Sequence, residues 1–148
     1  MQLCLRKENL RLLWSMQAVQ RLLPRLNIVN VVATAELDQF VDLDRLATTD
    51  GFMYDYAIYH CAYLKDAETR GKIIIFTTGK MICVGAKSFE AAKRDLNYAA
   101  GRLAELGLIS SSKLKVKLQN IVATADLGQS MNLDDIASKL PHVIYEPE

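Results

Sequence analysis

One stretch of the chain occurs twice. Ile28-Val29-Asn30-Val31-Val32-Ala33-Thr34-Ala35-Glu36-Leu37 returns 90 residues later as Leu118-Gln119-Asn120-Ile121-Val122-Ala123-Thr124-Ala125-Asp126-Leu127. The likeness runs on without a gap through Asp42-Leu43-Asp44-Arg45-Leu46-Ala47 and Asn132-Leu133-Asp134-Asp135-Ile136-Ala137. Solenoid repeats recur every ~20–50 residues, so a period this long marks a duplicated half-domain. Such a chain folds into two pseudo-symmetric halves that present similar surfaces, and a roughly two-fold partner such as duplex DNA matches it.

At 148 residues the chain has the length of one domain, and 51% hydrophobic with 24% charged residues indicates a soluble, globular protein. The net charge of +1 hides an asymmetry. Arg6, Lys7, Arg11, Arg21 and Arg25 against Glu8 give residues 1–27 a charge of +4, which leaves −3 for the rest. Nucleic-acid binding by residues 28–148 would therefore depend on locally placed lysines and non-ionic contacts rather than on a broad basic surface. Cys4, Cys61 and Cys83 are odd in number and lack metal-ligand spacing, as expected of reduced thiols in an intracellular protein. His60 and His142 add no metal motif, and no run approaches the ~18 apolar residues of a membrane span.

Residues 1–26 read as a basic amphipathic helix with Leu5, Leu12, Met16, Val19, Leu23 and Leu26 on one stripe, an extension packed on the domain or on a partner. Residues 28–37 are rich in β-formers, and Asp42 is placed to cap a short helix over 42–48. Strands are expected over 56–64, 72–77 and 81–85, with a loop at 66–71. Ser88 caps a long helix whose stripe is Ala92, Leu96, Ala99, Leu103 and Leu106, and Gly107 ends it. Ser110-Ser111-Ser112 links to the second copy.

If Thr78-Gly79-Lys80 is the hairpin loop, Phe76 faces Ile82 and Ile74 faces Val84 on one side of the sheet, while Ile75 and Cys83 point to the other. Both faces are then apolar. An antiparallel sheet ordinarily leaves one face in water, so the second face needs a cover: another sheet layer, a dimer partner or a ligand.

The string Ile75-Phe76-Thr77-Thr78-Gly79-Lys80-Met81-Ile82-Cys83-Val84-Gly85-Ala86-Lys87-Ser88 resembles the central hairpin of the TATA-box-binding protein family, typically IFSSGK-x-V-x-TGAKS. Asn30-Val31-Val32 and Asn120-Ile121-Val122 resemble its paired Asn-x-Val strands, and Tyr145-Glu146-Pro147-Glu148 resembles the start of its second stirrup, nearest to archaeal members. The resemblance covers residues 28–148. It implies an α+β fold, a saddle with a curved antiparallel sheet and helices on the convex face. The organisation is an extension (1–27), a complete repeat (28–109) and an incomplete second repeat (113–148).

The resemblance also implies a general transcription initiation factor that recognises A·T-rich promoter DNA through the minor groove and bends it. An apolar floor suits that groove, which lacks the guanine amino group. Carried over by position, Asn30 and Asn120 would donate to groove acceptors, Val32, Val122, Ile74 and Ile82 would form the floor, Phe76 would wedge into a base step, and Lys80 and Lys87 would hold phosphates. Glu146 and Glu148 match the acidic loop that contacts a TFIIB-type factor. The implied location is intracellular, in the nucleoid of an archaeon or the nucleus of a eukaryote.

The chain departs from the pattern in three places. No Phe stands before the second strand, where Tyr56 is the nearest substitute; Val84 replaces the usual Thr; and the chain ends at Glu148, before a counterpart of Phe76. The last leaves open a truncated copy, a piece of a longer chain, or a protomer that completes its sheet as a homodimer. The alternatives in function are a diverged interaction module that dimerises without binding DNA, and an accessory domain of a nucleic-acid enzyme. No catalytic, cofactor or metal motif is present: Asp42, Asp44, Asp134 and Asp135 stand at helix starts, where capping and the helix dipole account for them.

Overall fold

The computed structural model describes residues 2–6, 26–126, 128, 130–139 and 146. The duplicated segments become the two longest strands, β2 (Leu26–Glu36) and β7 (Lys115–Ala125), paired antiparallel at the middle of the molecule. Asn30 lies opposite Val122, Val31 opposite Ile121 and Val32 opposite Asn120. A shift by 90 residues maps this set of pairs onto itself, so a pseudo-dyad passes between Val31 and Ile121. Each strand carries one extra residue there, Val29 in β2 and Gln119 in β7, again 90 apart. Such bulges bend a strand and increase its twist, which curves the sheet about its centre.

β1 (Gln2–Arg6), β3 (Phe52–Met53), β4 (Cys61–Leu64), β5 (Lys72–Phe76) and β6 (Lys80–Ala86) complete a seven-stranded sheet in the order β1-β7-β2-β6-β5-β4-β3, antiparallel at every pairing. Alternation along the strands sends Val31, Ala33, Ala35, Ala62, Leu64, Ile73, Ile75, Met81 and Cys83 to one face, all buried. They pack under α1 (Phe89–Glu105), which buries Ala92, Leu96, Ala99 and Leu103 as its stripe requires. Ser88 Oγ accepts from Ala91 N at 3.1 Å and closes the N-terminus. At the other end Gly107, at φ 66°, donates to Ala104 O and Leu108 donates to Leu103 O, a Schellman ending that satisfies the last carbonyls.

The hairpin differs from the sequence reading by one residue in its loop. Thr77-Thr78-Gly79 forms the turn, with Gly79 N donating to Phe76 O at 2.9 Å and Gly79 at φ 78°. A three-residue hairpin loop wants its left-handed residue last, so Gly79 closes the loop and Lys80 already belongs to β6. Ile74 therefore faces Ile82 and Lys72 faces Val84, a register two residues from the expected one. The shift is even, so every side chain keeps its expected face.

Three further elements are corrected. The helix expected over 42–48 is a single 3-10 turn, Asp44–Leu46, with Asp42 Oδ1 accepting from Asp44 N at 3.1 Å. The strand expected over 56–64 is confined to Cys61–Leu64, because Asp55 folds the preceding residues into a turn. Its Oδ1 accepts from Ala57 N and its carbonyl from Ile58 N and Tyr59 N. Residues 2–6, expected in a helix, form β1, and Leu26 opens β2; the rest of that predicted helix, 7–25, lies outside the described residues. A last short helix, α2 (Leu133–Lys139), follows β7.

Candidate nucleic-acid interface

The sheet face opposite α1 has none of the described helices over it. Its rows follow from the register. Asn120, Val32, Val84 and Lys72 lie side by side across β7, β2, β6 and β5. The next row runs Lys117, Thr34, Ile82, Ile74 and Tyr63. Phe76 lies beyond it, opposite Cys61 at the hairpin end. Val32, Ile74, Phe76, Ile82 and Val84 are only half-buried, which is what side chains covered by their neighbours alone would show. Lys72, Lys80, Lys115 and Lys117 are exposed around this apolar floor.

Asn30 stands beside the pseudo-dyad and is held from one direction. Its Oδ1 accepts from Gly85 N at 2.8 Å, where β6 shifts register and Gly85 takes φ 96°. With the carbonyl oxygen engaged, the amide nitrogen is the end left to donate. Lys87 Nζ donates to Val29 O at 2.7 Å, the carbonyl of the bulge residue, so β6 clamps the bulge through two side-chain contacts. An ammonium has three protons, and one is engaged there.

Across the face, Gln119 Nε2 donates to Thr34 Oγ1 at 2.7 Å, and Lys72 Nζ sits 3.9 Å above the Tyr63 ring centroid. Tyr59 meets Tyr63 edge-on at 5.5 Å. Tyr56 is 74% exposed, in the turn before β4 rather than on the sheet floor.

The structure thus gathers Asn30, Val32, Ile74, Phe76, Lys80, Ile82, Val84, Asn120 and Val122 on strands of one sheet and one face, with Lys87 just past the end of β6. Val122 is the most enclosed of them, flanked by Asn30 on β2 and by Cys4 on β1. Glu146 is exposed; Glu148 lies outside the described residues. Sequence reasoning missed Thr34, Tyr63, Lys72, Lys117 and Gln119. The period of two from Val32 and Ile74 already places Thr34 and Lys72 on the same face. Lys117 and Gln119 are displaced by the bulge, which no local pattern marks.

Beneath the floor the chemistry is structural. Asp95 Oδ2 accepts from Arg70 N at 3.0 Å and Gly71 N at 2.7 Å, pinning the loop between β4 and β5 to α1. Burial, and then the Asp95 carboxylate, push the Cys83 thiol up to about 12, so it stays protonated and inert. Asp66 accepts from Tyr98 Oη at 2.7 Å and pairs with Arg102 at 3.2 Å; the phenol's hydrogen bond first, and two backbone amides and Arg102 with it, hold its carboxyl below the ordinary value. Among the described residues no group of His, Cys, Asp and Glu could hold a metal, and no helix is long and apolar enough to cross a membrane.

Residues 25–106 and 115–148 match the family described as transcription factor TFIID, or TATA-binding protein. The TATA-box-binding protein of Cenarchaeum symbiosum is 38% identical over 125 residues, 83% of this chain and 69% of that protein. TATA-box-binding protein F of Halobacterium salinarum is 40% identical over 126 residues, 83% of this chain and 68% of that protein. A solved structure of Methanococcus jannaschii TBP superposes with a TM-score of 0.72 at 34% identity, covering 84% of this chain and 71% of that one. A duplicated Asn-x-Val strand pair, an apolar sheet face with none of the described helices over it and these likenesses agree: the chain belongs to the TATA-binding protein family of transcription factors.

Proposed function

We propose that the uncovered face binds A·T-rich duplex DNA through the minor groove, as a transcription initiation factor does at a promoter. The observation that carries this reading is the orientation of Asn30 within an apolar floor. Gly85 N occupies its oxygen, which turns the amide donor outward beside Val32, and the pseudo-dyad sets Asn120 in the matching place on β7. A·T pairs offer only the acceptors A N3 and T O2 in the minor groove, so one central donor flanked by apolar side chains is complementary to them. Lys72, Lys80, Lys87 and Lys117, around that floor, would meet phosphates. Phe76, at the hairpin end of the floor, is the side chain for wedging into a base step. Bending of the duplex rests on family membership rather than on a geometry of this chain.

A fluorescence titration tests this, using a TATA-containing duplex with dyes at both ends and a G·C-substituted control. Selective binding with increased energy transfer is expected; equal binding to both duplexes, or none, overturns the reading. The salt dependence should fall by about 0.9 in log–log slope for each phosphate-binding lysine removed.

A second reading, an interaction module that pairs with another copy without binding DNA, draws on Met131 and Leu133, which are 44% and 46% exposed. It predicts a concentration-dependent dimer that the A·T duplex does not dissolve. Contact with a TFIIB-type factor through Glu146 and Glu148 belongs to the first reading, and a Glu146→Lys, Glu148→Lys variant that recruits the factor as well as the wild type would remove it.

A further inference from the structure

Two side-chain amides on the sheet face away from α1 are held by opposite ends. Asn30 is held by its oxygen, which accepts from Gly85 N at 2.8 Å. Gln119 is held by its nitrogen, which donates to Thr34 Oγ1 at 2.7 Å. Asn30 therefore keeps a donor to offer, and Gln119 keeps its carbonyl oxygen, an acceptor. Gln119 is exposed, and among the described residues no donor meets that oxygen.

The bulge gives Gln119 this reach. As the extra residue of β7 it lies on the same face as its neighbour Asn120, where strict alternation would send it towards α1. The pseudo-dyad repeats the bulge but not the side chain. A shift of 90 residues carries Thr34 onto Thr124, both half-buried, while the residue that corresponds to Gln119 is Val29. The bulge of β2 thus has no polar side-chain atom at this place. One acceptor stands on one side of the dyad, and an apolar side chain stands on the other.

The minor groove presents acceptors at every base pair and one kind of donor, the guanine amino group. An apolar floor disfavours G·C pairs because it takes that amino group out of water and gives it no partner, a loss of at least about fivefold in affinity. An acceptor set into the floor removes the loss for the pair it reaches. We propose that Gln119 is a specificity-determining residue, accepting from the amino group of one guanine on its side of the dyad, while Val29 restricts the other side to A·T pairs. The recognised site is then asymmetric although the backbone is pseudo-symmetric, and one G·C pair sets which way round the protein lies on the duplex. The inference rests on the minor-groove reading above.

Competition binding by the full chain tests it, on variants of a self-complementary A·T duplex. One G·C pair, or two related by the duplex dyad, replaces A·T at each distance from the centre in turn. At one distance the first G·C pair should weaken binding by less than about threefold and the second by at least about fivefold more. Gln119→Val should make the first loss as large as the second and leave the all-A·T affinity unchanged. Val29→Gln should make the second loss as small as the first. Equal losses for the first and second pair at every distance in the wild type would overturn the inference. So would a Gln119→Val variant that weakens all duplexes by one factor, since Gln119 would then only brace the bulge. Val29 is half-buried, so should Val29→Gln misfold, Gln119→Val at its exposed position decides. No binding to the all-A·T duplex would defeat the minor-groove reading itself, and this inference with it.

Discussion

The two halves put nearly the same residues into different surroundings. After β2, Val41, Leu43 and Leu46 are 3%, 2% and 0% exposed, in one core cluster with residues of the hairpin and α1; Val41 N is tied to Thr77 O at 2.9 Å. Their counterparts Met131 and Leu133 are 44% and 46% exposed, and Ile136 is half-buried. The corresponding strands β4 and β5 have no partner element among the described residues of the second half. Burial of the short helical segment is therefore a property of the hairpin and long helix that enclose it, and not of its own sequence.

The comparison is most exposed to failure at the leucines. Leu43→Ala should cost about 2–5 kcal/mol and Leu133→Ala below about 1 kcal/mol, read by urea unfolding; equal costs would mean that Leu133 is covered in solution. Gly79→Ala follows, because a Cβ there meets the Gln39 carbonyl and φ 78° opposes any side chain. A left-handed residue costs about 1–2 kcal/mol before that clash is added, and the loss should appear in the same unfolding assay.

On DNA, Asn30→Asp keeps the oxygen for Gly85 N and removes the outward donor. Affinity for an A·T duplex should fall by at least about fivefold, the lower end of a lost base contact, and Asn120→Asp should match it if the halves are equivalent at the dyad. A large difference between the two would show that the pseudo-symmetry of the backbone does not extend to recognition.

The smallest effect is that of pH on the cluster of Asp66, Tyr98 and Arg102, for which the described second half has no equivalent. Asp66 is lowered, so its contribution is complete above the ordinary carboxylate value of 3.8 and is lost as pH falls through its folded value. Tyr98 is raised, first by its bond to Asp66, so its contribution is present below 10 and fades as pH rises through its folded value. Asp66→Asn should flatten the acid limb of the stability profile by slightly lowering the neutral plateau, with little change at the acid end.

Much of this arrangement was legible in local pattern. The repeated Asn-x-Val strands, the Ser88 cap and the Gly107 ending follow from side-chain chemistry within a few residues. The hairpin was misplaced only in its loop, where Thr78-Gly79-Lys80 and Thr77-Thr78-Gly79 both contain the glycine and only backbone geometry chooses between them. Tyr56–His60 carry strand-like residues, yet Asp55 offers hydrogen bonds that a strand cannot match. Gln2–Arg6 were illegible for another reason: Leu3 and Leu5 fit a strand, but the pairing that decides the matter lies far along the chain. The uncovered face was readable residue by residue until the bulge at Gln119, after which parity shifts.

That distant pairing also sets an order of events. Cys4 pairs in register with Val122, 118 positions further along the chain, whereas β5 and β6 close over three residues. The hairpin and α1 can assemble as soon as they are made, while β1 waits for a partner made long after it. Contacts of such long range form late and slow the folding of a sheet. β1 is also the edge of the described sheet, held by β7 alone, so the β1–β7 seam is where local opening and strand exchange between copies are expected.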